Sequence, residues 1–277
     1  MSEKYTPVWY MLLFTMFYTS ILEANQAGPQ RIITLSPHLA ELVFLLGAGD
    51  EIRGVSEFSD YPEAVADIPR IGGAAGVDVE RILSIEPDLI LAWQGGTREN
   101  DIRKLQELGL KVVSVKGETL DDIPDSIRII GDLLNRQNMA SEQISQFNEK
   151  LLQITRQYKN IPHHRIFIEI SSQPLMGLTD RHSFTAGLAL CGLDNIFSNE
   201  EKPTIVTDLE SVLSRNAEYV LLRSRVSGKD FLSRKPSYQI DEDQAVEFVS
   251  FDEDVAFRQT PRLLDTIADV CNEIHTR

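Results

Sequence analysis

The stretch DVERILSIEPDLIL, Asp78 to Leu91, occurs a second time as DLESVLSRNAEYVL, Asp208 to Leu221, at a constant offset of 130 residues. Asp78 matches Asp208, Glu80 matches Glu210, Leu83 matches Leu213, Ser84 matches Ser214 and Leu91 matches Leu221, with conservative pairs between them. Each copy opens on an Asp able to cap the free amides of a first helical turn, continues with helically spaced apolar residues, and runs into an apolar strand. Pro87 is expected to stop the first helix. A helix feeding a continuous apolar strand belongs to a parallel sheet covered on both faces. Two such units imply an α/β fold of two related, Rossmann-like lobes with mainly parallel sheets and a cleft between them.

Outward from the first copy, strands are expected at Arg31–Leu35, Ile52–Val55 and Val112–Val115. Helices are expected from Ser36-Pro37 to Gly47, over Asn100–Leu108 and over Ile123–Leu134. A loop carrying Gly72, Gly73 and Gly76 precedes the unit. From Met139 to Tyr158 the pattern is purely helical, with Ala140, Ile144, Phe147, Leu151, Ile154 and Tyr158 on one stripe. At ~1.5 Å per residue this is a rod of roughly 30 Å. It divides the chain into a leader (1–27), a first lobe (28–137), a single interlobe helix (138–160) and a second lobe (161–277). That second lobe restarts at Arg165–Ile170, has a helix at Phe184–Gly192, a polar insertion at 224–243, a strand at Ala245–Phe251 and a last helix from Pro261.

Val8 to Leu22 is apolar, follows Lys4 and precedes Ala24 and Ala27, the pattern of a cleavable secretory signal peptide and hence of an exported protein. An uncleaved anchor is the alternative, although the run is shorter than the ~20 residues a span prefers. The formal charge is -15; removing the leader, with its one Lys and two Glu, leaves -14. Such a balance argues against nucleic acid as a partner, because phosphate binding needs a basic face. The two cysteines, Cys191 and Cys271, each fall in a predicted helix. An even count in an exported chain points to a disulfide, with two buried thiols as the alternative.

Ligands of parallel α/β sheets bind beyond the C-terminal ends of the strands. Those ends carry Ser36-Pro37-His38, Ser59-Asp60-Tyr61, Trp93 to Gly96, Ser171 to Met176, Arg223 to Arg225 and Asp252 to Arg258. Tyr61 and Trp93 offer flat surface for a large planar ligand, with partial burial in a core as the other reading. Asp254 and Arg258 can hydrogen-bond amide or phosphate groups, or form a surface ion pair of little consequence. No P-loop, Gly-x-Gly-x-x-Gly, His-Glu-x-x-His or Gly-x-Ser-x-Gly occurs. No catalytic residue, resident cofactor or metal site is therefore expected. His163 and His164 adjoin a strand start, away from the expected cleft.

Arg31-Ile-Ile-Thr-Leu-Ser-Pro, Ser59-Asp-Tyr-Pro, Ala92-Trp with Gly95-Gly96, Asn195-Ile-Phe, and Arg258 with Pro261-Arg262 resemble the periplasmic cobalamin-binding proteins of ABC importers, over about Arg31 to Ile274. The resemblance implies two lobes joined by one long helix, a transported corrinoid between them, and a monomer that docks on an inner-membrane permease and ATPase complex. By position Tyr61, Trp93, Asp254 and Arg258 match ligand contacts, and Glu80 and Glu210 match acids that face permease arginines. A plainer origin for those acids is that Glu is common in a first turn and was copied with its lobe. Where that family carries further aromatics this chain has Ala75, Met176 and Thr204; Met176 can still pack on a ring. An iron-siderophore or haem receptor of the same fold is the alternative, kept open by Arg223 and Arg225. An exported hydrolase is more remote.

Overall fold

Strands form where the expected apolar runs lie, and their pairing repeats from one half of the molecule to the other. The computed structural model describes residues 28–73, 75–223 and 246–277. The leader, the insertion at 224–243 and Arg225 lie outside the described residues. In chain order the first half holds β1 (Ile32–Thr34), α1 (Pro37–Leu45), β2 (Ile52–Val55), β3 (Gly72–Gly73), β4 (Gly76–Val77), α2 (Val79–Ile85), β5 (Leu89–Trp93), α3 (Glu99–Glu107), β6 (Val112–Val115) and α4 (Asp122–Leu133). After α5 (Gln137–Gln157) come β7 (His164–Ser172), β8 (Leu175–Leu178), α6 (Ser183–Ala189), β9 (Leu193–Asn195), β10 (Thr204–Val206), α7 (Leu209–Ser214), β11 (Tyr219–Arg223), β12 (Glu247–Phe251), α8 (Glu253–Ala256) and α9 (Leu263–His275).

The first sheet is parallel, in the order β2-β1-β5-β6. The second contains the same arrangement, β9-β7-β11-β12, also parallel. Register is shared too: Ile32, Ile33 and Thr34 face Leu89, Ile90 and Leu91, as Ile166, Phe167 and Ile168 face Tyr219, Val220 and Leu221. The partners on β5 and β11 are again 130 residues apart.

That agreement follows from details copied with the unit. Asp78 and Asp208 each accept the backbone N–H three residues on, at 2.9 and 2.7 Å, and so cap α2 and α7. Both chains then leave the helix through one left-handed residue, Glu86 (φ 50°) and Asn216 (φ 52°), a common helix exit. Pro87 thus follows the stop rather than making it. Two residues beyond that exit, Asp88 accepts the N–H groups of Gln30 and Arg31, and its own N–H donates to the Arg31 carbonyl. Glu218 does the same with Arg165. An acid at the head of each strand therefore sets its pairing with the neighbour.

Alternate residues of the strands enter opposite layers. Leu89 and Leu91 join one hydrophobic cluster, Ile90 and Ala92 another. Tyr219 and Leu221 join the first of these as well, whereas Val220 and Leu222 form a third. The shared cluster runs through both halves by way of α5, whose buried residues Ala140, Phe147 and Ile154 recur every seven positions. α5 packs on α4 near its start, where a Cβ on Gly131 would come within 2.5 Å of the Ala140 side chain; only glycine allows that approach. Farther along, Lys150 pairs with Asp265 of α9.

Two expectations need correction. Ser171–Met176 is not a strand-end loop: β7 continues to Ser172, turns through Gln173-Pro174 and returns as β8, with Ser172 opposite Leu175. Edge strand β10, which contains Thr204, pairs with β8 and was not foreseen; its three residues are too few to show alternation. The glycine loop before the duplicated unit is a two-residue ladder, β3 with β4.

Cys191 and Cys271 form a disulfide between the end of α6 and α9, closing a separation of 80 residues, with both side chains fully buried. Reduction is expected to lower the unfolding free energy by roughly 4 to 5 kcal/mol in the chain-entropy model, read as a lower urea midpoint with reductant than without. An equal midpoint would count against the bond in solution.

Candidate functional site

The C-terminal ends of both sheets border one open cavity of about 450 Å³. Ser36, Pro37, His38, Phe58 and Trp93 line it from the first half; Arg223, Glu253, Asp254, Phe257 and Arg258 line it from the second. A second pocket of about 160 Å³ shares Ser36, Pro37, Phe58 and Trp93 with it and is also lined by Glu57, Arg98 and Asp101. Arg98 and Asp101 hold each other through two hydrogen bonds of 2.8 and 2.9 Å.

The floor of the cleft is a charged network joining the halves. Glu41 of α1 is 4% exposed. Its Oε1 accepts from Arg258 Nη1 at 2.7 Å and its Oε2 from Arg262 Nη1 at 3.1 Å. Arg258 also pairs with Asp60 at 2.7 Å and donates to the Phe58 carbonyl at 3.2 Å. Burial works to lower the Arg258 pKa, but the hydrogen bonds with Asp60 and Glu41 outweigh it and hold the guanidinium above the usual arginine range. The arginine stays charged with its bonding capacity largely committed to the protein. Arg262 lies over the Tyr61 ring at 3.6 Å from its centroid, the arrangement of a cation–π contact.

The wall of the first half is aromatic. Phe58 takes φ 63°, a left-handed conformation rare for a bulky residue, and its side chain is 79% exposed. Trp93 stands edge-to-face with His38, ring centroids 5.2 Å apart. A Cβ on Gly96 would fall 1.8 Å from the indole, so this pose of Trp93 requires glycine there. His38 is 4% exposed. Burial, and after it the charge of Arg258, pushes its imidazole down to about 3, and the ring is neutral at neutral pH.

Of the residues expected from sequence, Trp93, Asp254 and Arg258 line this cavity, as does Arg223. Arg258 does so as the centre of the network. Tyr61 is absent from the lining, its ring turned to Arg262, and Phe58 stands in the cleft instead. Met176 lies on β8 opposite Val206, also outside the lining. Ala75 and Thr204 are exposed, in the β3–β4 turn and on β10. Glu80 and Glu210 are exposed in the first turns of α2 and α7. His163 and His164 are engaged with Asp194 at 3.0 Å and Glu218 at 2.7 Å.

Sequence reasoning gave no individual role to Glu41, Phe58, Phe257 or Arg262, although Phe257 lies within the strand-end stretch Asp252 to Arg258. Glu41 left one clue, being the sole charged residue of the nine-residue α1. Phe58 left another, as a third aromatic at a strand end. Arg262 stood only within the Arg258 and Pro261-Arg262 motif, with no role of its own.

A periplasmic binding protein family model matches residues 32–242. A vitamin B12-binding protein of Pectobacterium carotovorum subsp. carotovorum is 30% identical over 265 residues, 94% of this chain and 95% of that one. Among solved structures, the periplasmic vitamin B12 binding protein BtuF of Vibrio cholerae superposes with a TM-score of 0.80 at 28% identity, covering 90% of this chain and 98% of its own. The periplasmic heme binding protein HutB of Vibrio cholerae reaches 0.77 at 16% identity, over 89% and 99% of the two chains; that likeness is one of fold.

Glu41→Ala would leave Arg258 buried with half its anionic partners and is expected to destabilise the protein by about 3 kcal/mol, measured by urea unfolding. A loss below about 1 kcal/mol would mean that Asp60 and solvent suffice to hold the guanidinium.

Proposed function

The chain belongs to the periplasmic binding protein family, and from that premise we propose that it captures cobalamin or a related corrinoid between its lobes and hands it to an ABC importer. The family is one of binding proteins rather than enzymes. The observation that carries the reading is the aromatic-walled cleft at the facing strand ends, in a chain resembling vitamin B12-binding relatives over nine-tenths of its length. A corrin is a wide, planar ring with amide arms. Phe58 and Trp93 supply surface for its plane, and Asp254 supplies a hydrogen-bond acceptor for its amides. Arg258 bears on the ligand from the network beneath, and Tyr61 stands at the rim. Met176, expected beside the ring, lies on β8 outside the lining of this cavity.

In this reading residues 1–27 are the export signal, 28–137 and 161–277 are the lobes, and 138–160 is the stiff connector of a periplasmic monomer. Glu80 and Glu210 dock on arginines of the permease, which an ATPase drives at the inner membrane. The duplication supports that role: each acid sits exposed in a capped first turn, where the helix dipole favours negative charge, once per lobe. The runner-up is a haem or iron-siderophore receptor, favoured by Arg223 in the cleft wall.

Isothermal titration of the chain from Gly28 with cyanocobalamin is expected to give one-to-one binding. Phe58→Ala and Trp93→Ala should each weaken it about fivefold, the equivalent of roughly 1 kcal/mol of ring stacking. No heat with cyanocobalamin or cobinamide, together with saturable binding of haem or a ferric siderophore, would reverse the order of the two readings.

Glu80→Lys combined with Glu210→Lys is expected to leave cyanocobalamin affinity intact and to abolish uptake through the importer. Normal uptake by the double variant would remove the docking role.

A further inference from the structure

His38 is not explained by packing alone. Its Nδ1 lies 2.7 Å from Ser36 Oγ. Ser36 occupies the N-cap of α1, yet its hydroxyl makes no capping bond and serves the histidine. The other nitrogen, Nε2, is buried and has no hydrogen-bond partner among the described residues. A buried polar atom left unmet costs free energy unless something else meets it. His38 also lines the ligand cleft.

We infer that His38 Nε2 is an axial donor to the metal at the centre of the bound tetrapyrrole, displacing a labile axial water. This rests on the corrinoid reading above and adds a protein–metal bond to it.

The chemistry is consistent with the site. In the tautomer that donates Nδ1–H to Ser36 Oγ, which the proposal requires, Nε2 carries the lone pair, and the ring is oriented by its second hydrogen bond as metal-bound histidines are. Because the imidazole is neutral, no proton must leave before it coordinates. The exchange breaks one cobalt–water bond and forms one cobalt–nitrogen bond; water departs, and no electron or proton is transferred. Trp93, edge-on to the imidazole, has to turn aside. Its Nε1 holds no hydrogen bond among the described residues, so no polar contact of the indole opposes that movement.

The test compares aquacobalamin, whose axial water is labile, with cyanocobalamin, whose cyanide is not. Wild-type protein should shift the visible bands of aquacobalamin on binding and hold it at least tenfold more tightly than cyanocobalamin. In His38→Leu, which keeps the site filled, both ligands should bind with similar affinity and the band shift should vanish. A measurement on the unaltered protein backs the variant. Bound cob(II)inamide, which lacks its own nucleotide base, should show three-line nitrogen splitting in its electron paramagnetic resonance spectrum, turning to two lines after labelling histidine with nitrogen-15. Unshifted bands with the wild type, a shift that survives in His38→Leu, or splitting insensitive to the label would each overturn the assignment. If cyanocobalamin binds and aquacobalamin keeps its free spectrum, the axial bond alone fails. If neither corrinoid binds, the corrinoid reading fails and takes the axial bond with it.

Discussion

Glu41 and Arg258 lie 217 residues apart in the chain, and between them they close the floor of the cleft. A carboxylate that is 4% exposed cannot remain charged without a partner, because removing an ion from water costs several kcal/mol. Its partners, Arg258 and Arg262, come from the segment joining α8 to α9 in the opposite half. The first half therefore cannot bury its helix α1 as it does unless the second half is seated against it. The network also reaches Asp60, the Phe58 carbonyl and the Tyr61 ring, so the loop after β2 takes its position from the same arginines. Such a network contributes more to a unique arrangement than to net stability, since its Coulombic gain is largely offset by desolvation.

The second restraint is apolar. The hydrophobic cluster that fills one face of each sheet is continuous through α5, and the disulfide ties α9, against which α5 also rests, back to the end of α6. A single rigid helix sharing its buried stripe with both sheets resists wide hinge opening, which would expose Phe147 and its neighbours. Motion on ligand entry is thereby directed to the side chains of the cleft and to modest tilts of the halves. Phe58 already stands exposed in the cleft, so on that side little ordering remains when the ligand arrives.

The duplicated unit shows why so much of the fold was legible. Capping by Asp78 and Asp208, exit through Glu86 and Asn216, and the clamp made by Asp88 and Glu218 all involve residues at most a few positions away or one strand over. Copying the sequence copied the geometry. The strand-to-layer alternation of Leu89, Ile90 and Leu91 follows from backbone pleating, and the seven-residue stripe of α5 from helical period. The same local logic failed at Ser171–Met176, where an apolar run ends in a hairpin rather than a loop. At Tyr61 it could not foresee that the ring would lie under Arg262 while Phe58, with its left-handed backbone, lines the cavity.

The amino-acid sequence by itself determined the two α/β halves, their order of elements, the helix between them and the strand ends at which a ligand can bind, since these depend on spacing along the chain. Only the tertiary structure decided which side chains meet there. A glutamate in an apolar helix, an arginine beside a proline and a histidine after a proline have no relation on the page of sequence. Burial pairs the first two across the cleft and leaves Nε2 of the third without a hydrogen-bond partner among the described residues. Their protonation, partners and chemistry are set by distance in space, a quantity that residue order does not carry.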